Sequence, residues 1–474
     1  MQRRCHPVLA ALSESDVIRM RLSKPSWKRI RHYSKKKTLL IKLLIRYFLV
    51  LIVVSFFLPP FVALPYMPNS TFYFPFWIVL VFFSYPRALL NTGFMASFAF
   101  LLLHFLYTVM GWYQNDVYSL MDYFFPLAFS FSVLEYFKES KDFKRLDQML
   151  ELSLILLIIT SITSIISLTA FPSAARDMAG FLSASDQRDL ADFYMLIGIG
   201  NYYFFHNIAL CVPLLVFLIQ NKNSRNLVRL KWLAILGITF LAVMRGGFSS
   251  AFGIFFIGLA LSVLISRLKS VKAYLGLLIG LGIVYFLFSP ILAPVLYSFA
   301  DILDSEFISP RLRNVAANLD GSAAFLSERD SIYTSSYKKQ LEISLEGLLK
   351  NPFTGSGVQG GHHFWADALA KFGLIGFLPW IFIIIYLIRS RSKWFFGRYK
   401  IIVIHVFITL FFIGFFKPIG LDQMFTFISI FIPAFLLLLQ RRELDHQLTS
   451  SYKSRVPVSN IRIAVTEQNI APQG

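Results

Sequence analysis

Apolar residues in this chain gather in long runs, with polar residues confined to the gaps between them. Twelve such runs can be traced, at about 39–60, 71–86, 88–110, 120–137, 149–170, 201–220, 230–245, 250–267, 273–297, 366–388, 400–417 and 422–440. A helix rises 1.5 Å per residue, so an apolar stretch of about 17–25 residues spans the hydrocarbon core of a bilayer. The pattern predicts an all-α polytopic membrane protein with about twelve transmembrane helices. The seventh and eighth runs are short, and only Arg245-Gly246-Gly247-Phe248 separates them. The chain then divides into a basic tail (1–38), nine spans (39–297), a large loop (298–365), three spans (366–440) and a polar tail (441–474) that reads as disordered.

Composition agrees, and charge adds direction. Of 474 residues 56% are hydrophobic and 15% charged, against about 25% charged in soluble domains. Lys plus Arg number 46 and Asp plus Glu 26, a net charge of +20. Such an excess of base can mark a nucleic-acid binder, but here its distribution follows the gaps between spans. With twelve spans, 35 basic and 10 acidic residues fall on one side, and 11 basic and 16 acidic on the other. The positive-inside rule makes the basic side cytoplasmic, and both termini fall there. The charge is an orientation signal, and no nucleic-acid partner is expected. Two cysteines, Cys5 and Cys211, allow no disulfide framework, and no Cys/His cluster has metal-ligand spacing. The N-terminus lacks the pattern of a cleavable signal peptide.

Two outer connections are long, about 171–200 and 298–365. Within the larger, Ile332, Tyr333, Tyr337, Leu341, Leu345, Leu348 and Leu349 recur at helical spacing. Ser327 and Asp330 fit a capping box ahead of them, and Lys350-Asn351-Pro352 supplies a stop. The spacing predicts an amphipathic helix of about 20 residues lying on the embedded bundle.

Three features on the outer side carry candidate chemistry. Arg245 closes the seventh run and precedes two glycines. Its plain alternative is an interfacial arginine whose head reaches water. Arg311, Arg313 and Arg329 form a second group. Their planar forks suit bidentate contact with phosphate, although arginines in loops are commonly just solvated. The third feature is Asn351-Pro352-Phe353-Thr354-Gly355-Ser356-Gly357, then His362-His363-Phe364-Trp365-Ala366-Asp367, then Lys371-Phe372-Gly373-Leu374-Ile375-Gly376. Asn-Pro and Gly-Ser-Gly signal a tight turn. Histidine suits proton transfer near neutral pH, while adjacent histidines in a loop usually do nothing special.

In combination these residues resemble the family of O-antigen ligases and O-antigen or capsular polysaccharide polymerases. That family shows His, then Asn, Ser or Gln, then nine residues, then Gly-x-x-Gly. Here His362 is followed by His363, residues 364–372, then Gly373-Leu374-Ile375-Gly376. Arg329 with Tyr333, and Asn351 to Gly357, resemble the family's upstream motifs, and Arg245 resembles its other arginine. The detailed match covers about 329–376, roughly a tenth of the chain, and departs in having His363 at the second motif position. His362 is the histidine matched to the functional slot.

The resemblance implies a glycosyltransferase of the bacterial cytoplasmic (inner) membrane that uses a sugar chain on a polyprenyl diphosphate, without nucleotide or metal cofactor. Arg245 and Arg329, supported by Arg311 or Arg313, would stabilise the diphosphate leaving group. His362 would take or position the acceptor proton, with His363, Asp367 and Tyr333 in supporting places. The expected partners are the lipid-linked oligosaccharide, the bilayer, and a flippase and chain-length regulator of the same pathway. Within the family, polymerase is the favoured expectation and ligase the alternative. A glycolipid flippase or transporter is the rival of another class. It is disfavoured because the longest connection is late and outer, and because no matched pair of broken helices appears in the two halves. His104, His206 and His405 lie within apolar runs, where packing is the commoner role for a histidine than proton relay.

Overall fold

In the computed structural model each of the twelve apolar runs coincides with helix. The structure describes residues 24–64, 70–111, 117–181, 188–220, 226–265, 268, 270–303, 309–320, 328–358, 360–361, 363–417 and 419–455. Among them there is no strand. The principal helices are α1 (Lys24–Phe57), α2 (Ser70–Ser84), α3 (Thr92–Val109), α4 (Val117–Ser140), α5 (Phe143–Ala170), α6 (Ala174–Phe181), α7 (Arg188–Leu196), α8 (Tyr202–Leu210) and α9 (Val212–Gln220). They continue with α10 (Asn226–Gly246), α11 (Ser249–Ile265), α12 (Val271–Leu303), α13 (Ser309–Asp320), α14 (Glu328–Lys350), α15 (Phe364–Ser392), α16 (Gly397–Phe416) and α17 (Thr426–Arg455).

Eight segments are long and apolar enough to cross a membrane: Leu40–Phe57, Thr92–Val109, Phe143–Ala170, Tyr202–Gln220, Asn226–Gly246, Phe364–Ser392, Gly397–Phe415 and Gln423–Glu443. The chain is therefore a multi-pass, all-helical protein. The other apolar runs lie in helices that are shorter, more charged or only partly described, so length and composition support eight spans where the sequence pattern counts twelve.

Several helices overrun the apolar limits. Helix α1 begins inside the basic tail, and α17 continues to Arg455, through a stretch the sequence reading assigns to a disordered tail. The residues Arg441 to Gln447 are good helix formers and simply prolong the preceding helix. The 171–200 connection likewise holds two short helices, α6 and α7.

The interior is aromatic. Trp77, Phe74, Phe131, Phe137, Phe205, Trp380 and Phe407 are among the largest fully enclosed side chains. Helix α4 packs against α2, α3 and α17, and α15 against α3, α14 and α16. A single turn of π-helix, Leu421–Phe425, leads into α17 and packs against α4 and α8.

Helix α14 starts at Glu328, and Ser327 of the expected capping box lies outside the described residues. It ends at Lys350, before Asn351-Pro352. Its orientation departs from the expectation in part. Ser344 and Gly347 are buried and Gln340 half-buried, whereas Leu345 is 46% and Leu349 77% exposed. Small and polar residues let backbones approach closely, so they share in the contact with the rest of the protein. Leu341 and Leu348 are half-buried.

Candidate functional site

The paired-histidine segment sits where α14, α15 and α16 meet. His363 is the N-cap residue of α15, and Asp367 lies in its first turn, where a carboxylate interacts favourably with the helix dipole. Asp367 is 8% exposed and gathers four donors. The Ser344 hydroxyl donates to Oδ1 at 2.5 Å. The Gly360 and Gly361 N–H groups donate to the same oxygen at 3.1 and 3.2 Å. The His363 N–H donates to Oδ2 at 3.0 Å. The Gly360 N–H also reaches the Ser344 Oγ at 2.8 Å. Charge-assisted bonds of this kind are stronger than neutral ones. The carboxylate therefore fastens the chain on both sides of residue 362 and ties that loop to α14.

His363 is 3% exposed, and its Nδ1 lies 2.7 Å from the Phe415 carbonyl. A carbonyl only accepts, so Nδ1 carries the proton. The Trp365 indole N–H donates to the Phe411 carbonyl at 2.7 Å, and the Phe364 N–H reaches the Lys417 carbonyl at 3.4 Å. The Phe415 and Lys417 carbonyls lie at the end of α16, where helical carbonyls lack intrahelical partners, and the indole bond falls one turn earlier. His363 is thus committed to joining two helices.

The two glycine motifs dock on one another. Helix α15 breaks at Gly373, with φ 61° and ψ −176°, a conformation reserved to glycine. The Pro352 and Phe353 carbonyls accept from Leu374 and Ile375 at 2.8 and 3.0 Å, and the Ser356 N–H donates to the Ala370 carbonyl at 2.9 Å. The Asn351–Gly357 turn thus takes up backbone groups that the break releases. Side chains are excluded at this contact. A Cβ on Gly355 would strike the Lys371 carbonyl, and one on Gly373 would strike the Gly355 nitrogen and the Phe353 carbonyl.

The arginines are placed less uniformly. Arg245 is exposed in the last turn of α10, where a cation interacts favourably with the helix C-terminus. Gly246 behind it packs on Phe205, and Gly247 takes φ 68°, so the turn into α11 is tight. Arg313 on α13 donates to Asp301 on α12 at 2.8 Å, with both side chains at least half exposed. Arg311 lies in the first turns of α13, and Arg329 and Tyr333 in the first turns of α14. The side chains of those three, and His362 altogether, lie outside the described residues. The structure therefore brings together His363, Asp367 and the glycine motifs. Of the four arginines, only Arg245 and Arg313 have side chains among the described residues.

One charged group escaped the sequence reading. Lys371 is 6% exposed, and its ammonium donates to the Tyr123 hydroxyl at 3.2 Å while lying 4.8 Å from that ring's centre. His104 stacks on the adjacent Phe372. The signal was present: a lysine inside an apolar run is costly and needs a reason. The histidines of the apolar runs are engaged. His206 bridges the Tyr202 carbonyl and the Ser250 hydroxyl, both at 2.8 Å. His405 meets the Tyr274 hydroxyl at 2.8 Å.

The π-helical turn connects these neighbourhoods. Asn201, which caps α8, donates through its side-chain amide to Gln423 at 3.0 Å, and Gly420 packs on Tyr203. Such turns are frequent at functional sites. Among the described residues no group of three or more His, Cys, Asp or Glu side chains is placed to hold a metal ion. No family model matches the sequence, and no curated protein matches it.

Proposed function

We propose that the protein is a polysaccharide polymerase of the bacterial cytoplasmic membrane, joining polyprenyl-diphosphate-linked oligosaccharide repeat units at the outer face. On this reading the chain crosses twelve times with both termini cytoplasmic, and 298–365 is the large outer loop. The observation that carries the reading is the backbone lattice around residue 362. Asp367 anchors Gly360, Gly361 and His363, and the Asn351–Gly357 turn closes the break at Gly373. Holding one loop residue this firmly is what a reacting group requires, since small misplacements cost large factors in rate.

The reaction joins the acceptor oxygen to the anomeric carbon as the bond from that carbon to the diphosphate oxygen breaks. His362 takes the acceptor proton. The electron pair leaves with the lipid diphosphate, and Arg245 and Arg329 stabilise the growing charge, a role worth several kcal/mol for preorganised donors. Arg311 supports them. Arg313 would have to exchange Asp301 for the substrate, so it contributes less. The break in α15 does not favour the transporter reading, because protein backbone already fills it.

The expected result is that Arg245→Ala and Arg329→Ala each abolish surface polymer while the protein remains in the membrane, and that Arg→Lys at either position restores little, because a lysine lacks the bidentate fork. Wild-type polymer from both alanine variants would sink the proposal. Deleting the gene separates the two family activities. Loss of a polymerase leaves single repeat units on the final acceptor, and loss of a ligase leaves polymer on the lipid carrier.

A further inference from the structure

A groove runs between α5, α10 and α17, away from the paired histidines. Its upper part is a half-open recess lined by Phe57, Leu154, Leu157, Leu215, Phe431 and further apolar residues. The two hydroxyls there are spent on their own helices. Ser153 donates to the Met149 carbonyl at 2.7 Å and Thr239 to the Ile235 carbonyl at 2.8 Å. Such a lining offers water nothing to bond. Leu150, Leu154 and Phe435 continue into a lower, likewise half-open part, whose rim carries Asp147, Glu151, Lys231 and Arg442. Apolar above and charged below, the groove has the profile of an amphiphile.

The rim charges narrow the choice. Arg442 binds both carboxylate oxygens of Asp147 at 2.7 Å, so that pair is self-neutralised. Glu151 and Lys231 remain, both exposed, and neither is in an ion pair with another described residue. We propose that the groove holds one zwitterionic phospholipid with a primary amine, its acyl chain between α5, α10 and α17, its phosphate at Lys231 and its ammonium at Glu151. An anionic headgroup would satisfy Lys231 but meet Glu151 unfavourably. A quaternary ammonium would offer Glu151 no hydrogen bond. The site is independent of the proposed catalysis: the rim lies towards the far end of α17 from the π-helical turn.

The full chain, purified in an uncharged detergent and exposed to equal amounts of phosphatidylethanolamine, phosphatidylglycerol and phosphatidylcholine, is examined by native mass spectrometry. The expected result is a phosphatidylethanolamine adduct that survives activation stripping the other two. Leu154→Trp, which fills the throat, should lose it. In a Cys5→Ser background, phosphatidylethanolamine should also slow alkylation of Cys211, which lines the groove, by a small thiol reagent. If Leu154→Trp fails to fold, Lys231→Glu on the exposed rim decides, since loss of the adduct supports the site and its retention overturns it. Absence of a retained lipid, equal retention of all three, or an undiminished adduct in folded Leu154→Trp would each overturn the proposal.

Discussion

A single carboxylate organises the paired-histidine loop. Asp367 accepts from one hydroxyl and three backbone N–H groups, and a neutral amide cannot replace it. Asparagine would turn an NH2 towards at least one N–H donor. Asp367→Asn should cost about 2–3 kcal/mol, read as a lowered melting temperature in detergent, and polymer should fall to the background of His362→Ala. Ser344→Ala removes one donor and should cost only about 1 kcal/mol. An Asp367→Asn variant with wild-type melting and polymer would show that the carboxylate holds nothing of consequence. The sequence pointed to Asp367 because it follows the histidines by one helical turn. It could not reveal that the partners are backbone amides, which carry no side-chain signature. The burial of His363 and Lys371 was equally hidden, since burial depends on which helices close over a residue.

Among the elements, α15 is the one whose interruption was legible. Gly373 and Gly376 stood out in an apolar run, and the turn at Asn351–Gly357 was marked by its Asn-Pro pair and its two glycines. That the two features meet was not legible, because nothing in either stretch names the other. Gly373→Ala tests the contact. A side chain at φ 61°, ψ −176° costs about 1–3 kcal/mol in backbone strain alone, and its Cβ would also strike the turn. The variant should melt markedly lower than Gly276→Ala, a change in α12 where a Cβ meets nothing. Equal melting of the two would remove the contact from the account. Helix α14 teaches a complementary lesson. Periodicity located its limits and its leucine stripe, yet Leu345 and Leu349 of that stripe face away from the protein. In water an apolar face must find a protein core, but beside a membrane it need not, and periodicity alone cannot tell those cases apart.

Over the whole molecule, the excess of base fixed a proposed orientation that the helices themselves do not reveal. One basic residue is an exception to that surface role. Arg391, at the end of α15, is 1% exposed and donates to the Ser130 and Phe131 carbonyls of α4 at 2.8 and 3.2 Å. Glu135 lies 3.9 Å away, and the guanidinium sits 4.7 Å from the centre of the Trp394 ring. In the sequence it looked like one more inside-facing charge between spans, because an arginine's partners cannot be read from its neighbours. Arg391→Met removes the clamp between α15 and α4 and takes the guanidinium donor from the Ser130 and Phe131 carbonyls, while Glu135 keeps Lys138 at 3.5 Å. A loss of about 1–3 kcal/mol should follow, seen as lower yield and melting temperature. Arg389→Met, two residues earlier and, among the described residues, without a side-chain bond to α4, should change little. Reporter fusions after Gln220 and Asp320 check the orientation: the first should be active only as a cytoplasmic reporter and the second only as an exported one.

The docked glycine motifs also turn chain length into geometry. The Ser356 to Ala370 bond and the bonds from Gly360 and Gly361 to Asp367 close loops of chain whose circumference is set by the number of residues inside them. Gly361 and His363 sit on such a closed circuit, so their positions are counted out as much as packed. Inserting one alanine after Val358 leaves every named side chain intact but gives the circuit one link too many. Its effect on polymer output should match that of losing His362 itself.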